Sequence, residues 1–156
     1  MRKILQILVL GLICGLVYFH YKGNSIEPTI DKELASYVDE WRSDMDSAGI
    51  LYNFNMLDHI KYVEEIPKDI FGDGDPYRAG FSDQSTRTVY IRKTNEYQPI
   101  HVKVILYHEL SHYLFNSQHM SDGEILGEHL IEDPLHYKDN WSILVSNYIT
   151  HIKDGR

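Results

Sequence analysis

The sequence has 156 residues, which is enough for one domain and a short appendage. It carries 23 acidic and 15 basic residues, for a formal net charge of −8, and this balance argues against nucleic acid as a partner, because nucleic-acid binding requires clustered Lys and Arg. The single cysteine, Cys14, excludes a disulfide framework, so any metal ion in the rest of the chain must be bound by His, Asp or Glu.

The amino terminus begins with an apolar segment that predicts a membrane anchor. Residues 4–19 carry no charge, and this length is close to the minimum for a transmembrane helix. Arg2 and Lys3 precede the segment and should stay in the cytoplasm. A cleavable signal peptide is the alternative, but the bulky residues 18–21 offer no small-residue cleavage site. The uncleaved anchor is therefore the favoured interpretation.

These observations predict three parts of the chain. Residues 1–22 form the anchor, residues 23–30 a linker and residues 31–156 a single domain. We expect a single-pass membrane protein with a cytoplasmic amino terminus and its domain on the periplasmic or extracellular side.

In the first half of the domain, the pattern of apolar residues predicts one helix followed by strands. Apolar residues recur at helical spacing from Asp31 until Gly49, where the helix should end. Residues 50–56 and 59–63 then alternate as strands do, and residues 86–92 are β-branched and aromatic. Helices and strands in this succession predict an α+β fold.

In the second half, Pro99 suits the first turn of a helix that should run to about Phe115. The residues Ser121-Asp122-Gly123-Glu124 resemble a capping box and predict a short helix up to Glu132, which Asp133-Pro134 should end. The final segment, residues 140–153, is rich in spaced apolar residues.

The helix that begins at Pro99 contains the motif His108-Glu109-Leu110-Ser111-His112. Residues i and i+4 share one helix face, so two imidazoles can bind one metal ion while the glutamate reaches a water molecule. The flanking residues are apolar, which predicts a buried helix whose polar residues need a partner. This spacing is typical of a zinc peptidase, with Glu109 as the general base; a core helix with two hydrogen-bonded histidines is the structural alternative.

A catalytic zinc site needs a third protein ligand, and several residues are candidates. His119 can return to the metal if the helix ends at Asn116, a residue type that tolerates the left-handed conformation. The rivals are three glutamates at a spacing of four and, more remotely, His136. A solvated helix face is by far the commonest meaning of such a row of glutamates. The glutamates are Glu124, Glu128 and Glu132.

Residues 105–119 resemble a group of small metzincin-like metallopeptidases of phages and bacteria, with the pattern His-Glu-Leu-Gly-His-Cys-x-Leu-Asn-Arg-x-His. Weaker similarity extends back to residues 79–81 and forward to residues 142–144. The resemblance implies a small zincin-like domain with a mixed, twisted sheet and a buried active-site helix. It also implies one zinc ion bound by His108, His112 and His119, with Glu109 as the base.

The chain differs from this pattern at several positions. Ser111 replaces glycine, Tyr113 replaces cysteine and Ser117 replaces arginine. Leu144 stands where the family has the methionine of a turn beneath the metal, and Leu and Met are close in volume. None of these differences removes a reacting group.

The expected function is zinc-dependent hydrolysis of a peptide bond in a peptide or protein substrate. An edge strand around Thr88–Arg92 could pair with an extended substrate. Tyr148 could stabilise an oxyanion, although packing is the commoner role of such a residue. Two other interpretations remain open: a zinc-stabilised binding module without turnover, and a membrane-tethered factor that acts through its acidic surface.

Overall fold

A four-stranded sheet and three helices make up the part of the chain that this computed structural model describes, residues 27–67 and 78–155. The α+β class and the mixed sheet are therefore confirmed. In chain order the elements are β1 (Thr29–Ile30), α1 (Ala35–Ser47), a 3-10 helix (Phe54–Met56), β2 (His59–Val63), β3 (Gly80–Asp83), β4 (Thr88–Arg92), α2 (Pro99–Phe115) and α3 (Pro134–Lys153).

The four strands are arranged in the order β1-β2-β4-β3. β2 pairs in parallel with both β1 and β4, whereas β3 pairs antiparallel with β4 through a hairpin. The expectation that Thr88–Arg92 forms an edge strand was wrong, because β4 has a partner on each side. The edge is β3. Its hairpin turn is held by the Asp83 carboxylate, which accepts hydrogen bonds from the backbone N–H and the hydroxyl of Ser85.

The first predicted helix is confirmed, but it begins at Ala35 rather than at Asp31. Asp31 is used otherwise: its carbonyl accepts a bond from Leu34 N and its carboxylate accepts one from Tyr62 N on β2. The helix ends before Gly49, whose positive φ of 68° suits a residue without a Cβ.

The strand predicted over residues 50–56 was wrong. This segment is irregular and then forms the 3-10 helix, with Asn53 accepting a hydrogen bond from Asn55 N. Its alternation has another cause: Tyr52 and Phe54 pack edge-on against the ring of Trp41, at 5.0 and 5.6 Å between centroids. An aromatic cluster, not a sheet, buries Phe54 and partly buries Tyr52, whereas Met56 is exposed.

The helix predicted from Pro99 to Phe115 is confirmed as α2, and nearly all of it is buried. A polar network crosses this core. The Ser111 hydroxyl donates to Tyr107 O at 2.8 Å and contacts the Tyr148 hydroxyl, which also accepts a bond from Trp41 Nε1 at 2.8 Å. The network joins all three helices and gives Ser111 a structural role that glycine could not fill. Tyr148 is fully buried within it, so packing is its role.

The short helix predicted over residues 124–132 was also wrong, because this segment consists of turns and one isolated bridge between Met120 and Gly127. Asp133-Pro134 begins α3 instead of ending a helix. The Asp133 carboxylate accepts a bond from Leu135 N, and proline suits the first helical position because it has no N–H to satisfy. Leu144 lies inside α3 and is buried, so the turn that the resemblance implied at this residue is not present.

The predicted anchor over residues 1–22 lies outside the described residues. Among residues 27–67 and 78–155, no helix combines the length and the apolar character that a membrane crossing requires. At the boundary of the predicted linker, Thr29 and Ile30 belong to the sheet, because they pair with His59 and Ile60.

Candidate metal centre

The motif helix places two imidazoles side by side. His108 and His112 are one turn apart on α2, and their Nε2 atoms lie 2.9 Å from each other. Both side chains are half-buried on the face of α2 that opens into a cleft. The i, i+4 geometry of a helix is sufficient to produce this proximity.

A sharp reversal of the chain at the end of α2 brings the imidazole of His119 close to the other two. Asn116 ends the helix in the left-handed conformation, with φ 52° and ψ 37°, as the sequence predicted. The chain then turns back, and the His119 ring lies 5.2 Å from the His108 ring and 4.8 Å from the His112 ring between centroids. One nitrogen from each of the three rings lies within 4.8 Å of the others.

Two backbone carbonyls orient the helical histidines. His108 Nδ1 lies 3.1 Å from Ile125 O, and His112 Nδ1 lies 2.7 Å from Ser117 O. A carbonyl can only accept, so each Nδ1 must carry the proton and each neutral ring presents a lone pair at Nε2. The two lone pairs face each other at 2.9 Å. Such an arrangement is repulsive unless a cation lies between them.

The electrostatic surroundings keep these rings in the form that binds metal. Burial, with a smaller contribution from the neighbouring His112, lowers the pKa of His108 to about 4. Burial also lowers the pKa of His112. Metal ligation requires neutral imidazole.

The donor set fits zinc. Zinc prefers nitrogen donors, and bonds of about 2.0 Å in a tetrahedron hold them about 3.3 Å apart. The Nε2 atoms of His108 and His112 must therefore open slightly from 2.9 Å, and nitrogens of the group that lie up to 4.8 Å apart must move closer.

Glu109 lies in the same cleft, on the neighbouring position of the helix, and only 8% of its surface is exposed. Burial raises the pKa of its carboxyl to about 8, although the charge of Arg78 and a hydrogen bond from Ser82 act in the opposite direction. A pKa near neutral pH suits a group that must both accept and release a proton.

The close approach of β3 to α2 explains how Glu109 is held, and it depends on Gly80. A Cβ at this position would lie 2.7 Å from Glu109 Cγ and 2.8 Å from Ile105 Cγ2. The sequence indicates Gly80 only through the family resemblance, and no pattern in it singles out Arg78 or Ser82. A glycine inside a strand is the one local signal that marks such an approach.

A cleft of about 650 Å³ surrounds these residues. Its lining comes from β3 and Arg78, from α2 and from the loop of residues 124–130. Two of the candidate glutamate ligands, Glu124 and Glu128, line the cleft, but they do not belong to the three-histidine group.

The remaining two candidates lie elsewhere. Glu132 is exposed and does not line the cleft, and His136 Nε2 is 2.7 Å from Gly123 O. Among the described residues, the group able to bind a metal ion consists of His108, His112 and His119.

Comparison of the chain with protein-family models, curated proteins and solved structures finds no match. The resemblance to small metallopeptidases therefore stays a prediction, and the function must be argued from the geometry of the cleft.

Proposed function

We propose that this protein is a zinc-dependent peptidase whose domain is zincin-like and is tethered to a membrane by residues 1–22. The observation that carries the proposal is the pair of Nε2 atoms of His108 and His112 at 2.9 Å, completed by His119 and flanked by a buried carboxyl group. A closed structural zinc site would have a fourth protein ligand. Among the described residues only three such ligands come together, which leaves a coordination position for solvent or substrate.

Each residue has a distinct task in this reaction. His108, His112 and His119 hold the ion, and two of them are kept in the binding tautomer by backbone carbonyls. Zinc, when bound, supplies a Lewis acid that polarises the scissile carbonyl and increases the acidity of water. Glu109 accepts the proton of the attacking water and delivers it to the amine nitrogen as the C–N bond breaks.

Among the described residues, one edge of the sheet lines the cleft and offers a place for the substrate backbone. β3 is the last strand in the sheet order, and Gly80, Phe81 and Ser82 line the cleft. An extended peptide can add to such an edge through main-chain hydrogen bonds. This would bring its carbonyls past Glu109 and the histidines, so the substrate class is an extended peptide or unfolded protein segment.

The deciding experiment compares the wild-type chain with Glu109→Gln, measuring zinc content and hydrolysis of a mixed peptide library in the same preparations. We expect both proteins to bind one zinc ion and the variant to lose at least about 100-fold in kcat/KM, the usual scale for general-base removal. Glu132→Gln is the matched control, because it removes an exposed carboxylate outside the cleft. Equal hydrolysis by wild type and Glu109→Gln would refute the peptidase mechanism, and the zinc-stabilised binding module would then be preferred.

A further inference from the structure

His119 is held differently from the other two histidines of the candidate metal centre. The rings of the other two, His108 and His112, are each oriented by a backbone carbonyl at Nδ1. Among the residues that the structure describes, the exposed ring of His119 makes no hydrogen bond, and its ring contacts are with the other two imidazoles. The position of the third imidazole therefore depends on the backbone that carries it.

The chain reversal at the end of α2 is fixed on both sides of His119. Ser117 O accepts a hydrogen bond from His112 Nδ1, and Met120 N donates at 2.8 Å to a carbonyl of the following loop. Between these two points lies Gln118, whose carbonyl belongs to the peptide group that directly precedes His119. Because this peptide group is planar and joined to His119, a shift of the group would also move the third imidazole.

A side chain of α3 holds this peptide group in place. His151 lies in the last turn of α3, and its Nε2 is 3.1 Å from Gln118 O. A carbonyl can only accept a hydrogen bond, so Nε2 carries the proton and donates it. His151 is half-buried, and its neighbour Ile152 packs against the hydrophobic core. The donor therefore belongs to a helical turn that is itself held by packing.

We propose that His151 is a positioning residue, which holds His119 at the metal ion through the Gln118 carbonyl. This inference rests on the proposed function only for the zinc ion and does not require peptide hydrolysis. A segment that is already held in its binding position loses less conformational freedom when the ion binds, so the ion binds more tightly. Groups that orient metal ligands without touching the metal contribute to affinity in this way.

The zinc affinity of His151 variants, measured by competition with a chromogenic chelator, tests the inference. His151→Phe keeps an aromatic ring and removes the donor, whereas His151→Gln keeps an N–H donor at a similar distance from the backbone. We expect the phenylalanine variant to bind zinc about three- to tenfold more weakly, the scale of one net hydrogen bond. The glutamine variant should recover most of the affinity.

A neighbouring substitution provides the matched control. Thr150→Val removes an exposed hydrogen bond of α3, from Thr150 Oγ1 to Ser146 O at 2.9 Å, but this bond lies within the helix. It should leave the zinc affinity unchanged. A difference between this variant and His151→Phe would therefore report on the contact with the reversal and not on a general weakening of α3.

Two further measurements distinguish positioning of His119 from a merely structural role. In a His119→Ala background, His151→Phe should cause no additional loss of zinc affinity, because the ligand that it positions is absent. The visible absorption of bound Co²⁺ depends on its ligands, so the spectrum of the cobalt-loaded His151→Phe chain should shift towards that of His119→Ala.

The outcomes separate this inference from the peptidase proposal. The inference would be overturned by unchanged zinc affinity in His151→Phe, by an equal loss in the His119→Ala background, or by a loss that His151→Gln does not restore, even if the wild type hydrolyses peptides. A His119-dependent loss in a protein that hydrolyses nothing would support the inference and refute the peptidase proposal. A wild-type chain that bound no zinc would overturn both.

Discussion

Substitution of Gly80 by alanine tests whether the contact between β3 and α2 positions the candidate base. The new methyl group would lie 2.7 Å from Glu109 Cγ and 2.8 Å from Ile105 Cγ2. Carbon atoms in contact are ordinarily about 3.5–4.0 Å apart, so strand or side chain must move by about 1 Å. Ile105 is buried, so it limits the directions in which the strand can move.

The expected effect has two parts of different size. Overpacking of a filled core costs about 1–3 kcal/mol, so the free energy of unfolding should fall by that amount. A misplacement of about 1 Å at a reacting group costs on the order of 100-fold in rate, so kcat/KM should fall far more than a loss of stability alone would predict.

Urea unfolding and peptide hydrolysis measured on the same preparation provide the assay. Gly49→Ala is the control, because a Cβ there meets nothing within 4 Å while the positive φ of 68° still strains the backbone. It should lower stability by about 1 kcal/mol and leave kcat/KM unchanged. If Gly80→Ala left the free energy of unfolding unchanged and kept kcat/KM within a factor of two of the wild type, the proposed contact with Glu109 would be refuted.

Three further predictions concern the ligand set, the buried network and pH. His119→Ala should weaken zinc binding at least tenfold in a competition assay with a chromogenic chelator, whereas Glu132→Ala should not; the reverse result would transfer the third ligand to the glutamates. Tyr148→Phe leaves Trp41 Nε1 without its acceptor, so urea unfolding should show a loss of about 1–3 kcal/mol with unchanged zinc content, and unchanged stability would exclude the network's structural role. Burial lowers the pKa of His101, so the unfolded chain binds more protons below pH 6.5 and stability should fall as the pH decreases through that range. His101→Gln should flatten this part of the stability profile relative to wild type, and parallel profiles would contradict the assignment.

The elements that the sequence predicted correctly are those fixed by local chemistry. Pro99 and the apolar run after it determine α2, and Asn116 ends it because few other residues adopt the left-handed conformation at low cost. The proximity of His108 and His112 follows from helix geometry alone. These features need no knowledge of the rest of the chain.

The errors arose where distant residues decide the structure. The alternation in residues 50–56 reflects packing on Trp41, which belongs to another element. The pattern in β4 could not distinguish an edge strand from an internal one, because strand order is not a local property. Residues 121–132 form turns, although their sequence resembles a capping box. An Asp-Pro pair such as Asp133-Pro134 can begin a helix as readily as end one, and here it begins α3.

The geometry of the candidate metal centre also depends on residues that are distant in the sequence. The carbonyl of Ile125 sets the tautomer of His108. This carbonyl belongs to a loop that the sequence pattern of α2 does not predict. A proton shared between the two Nε2 atoms would also relieve their repulsion, but burial holds the pKa of His108 near 4, so at neutral pH a proton is a poor occupant. A shared proton would involve only the rings of His108 and His112. A divalent ion can bind one nitrogen from each of the three histidines, including His119. We therefore interpret the reversal at Asn116 as the feature that completes the proposed metal site.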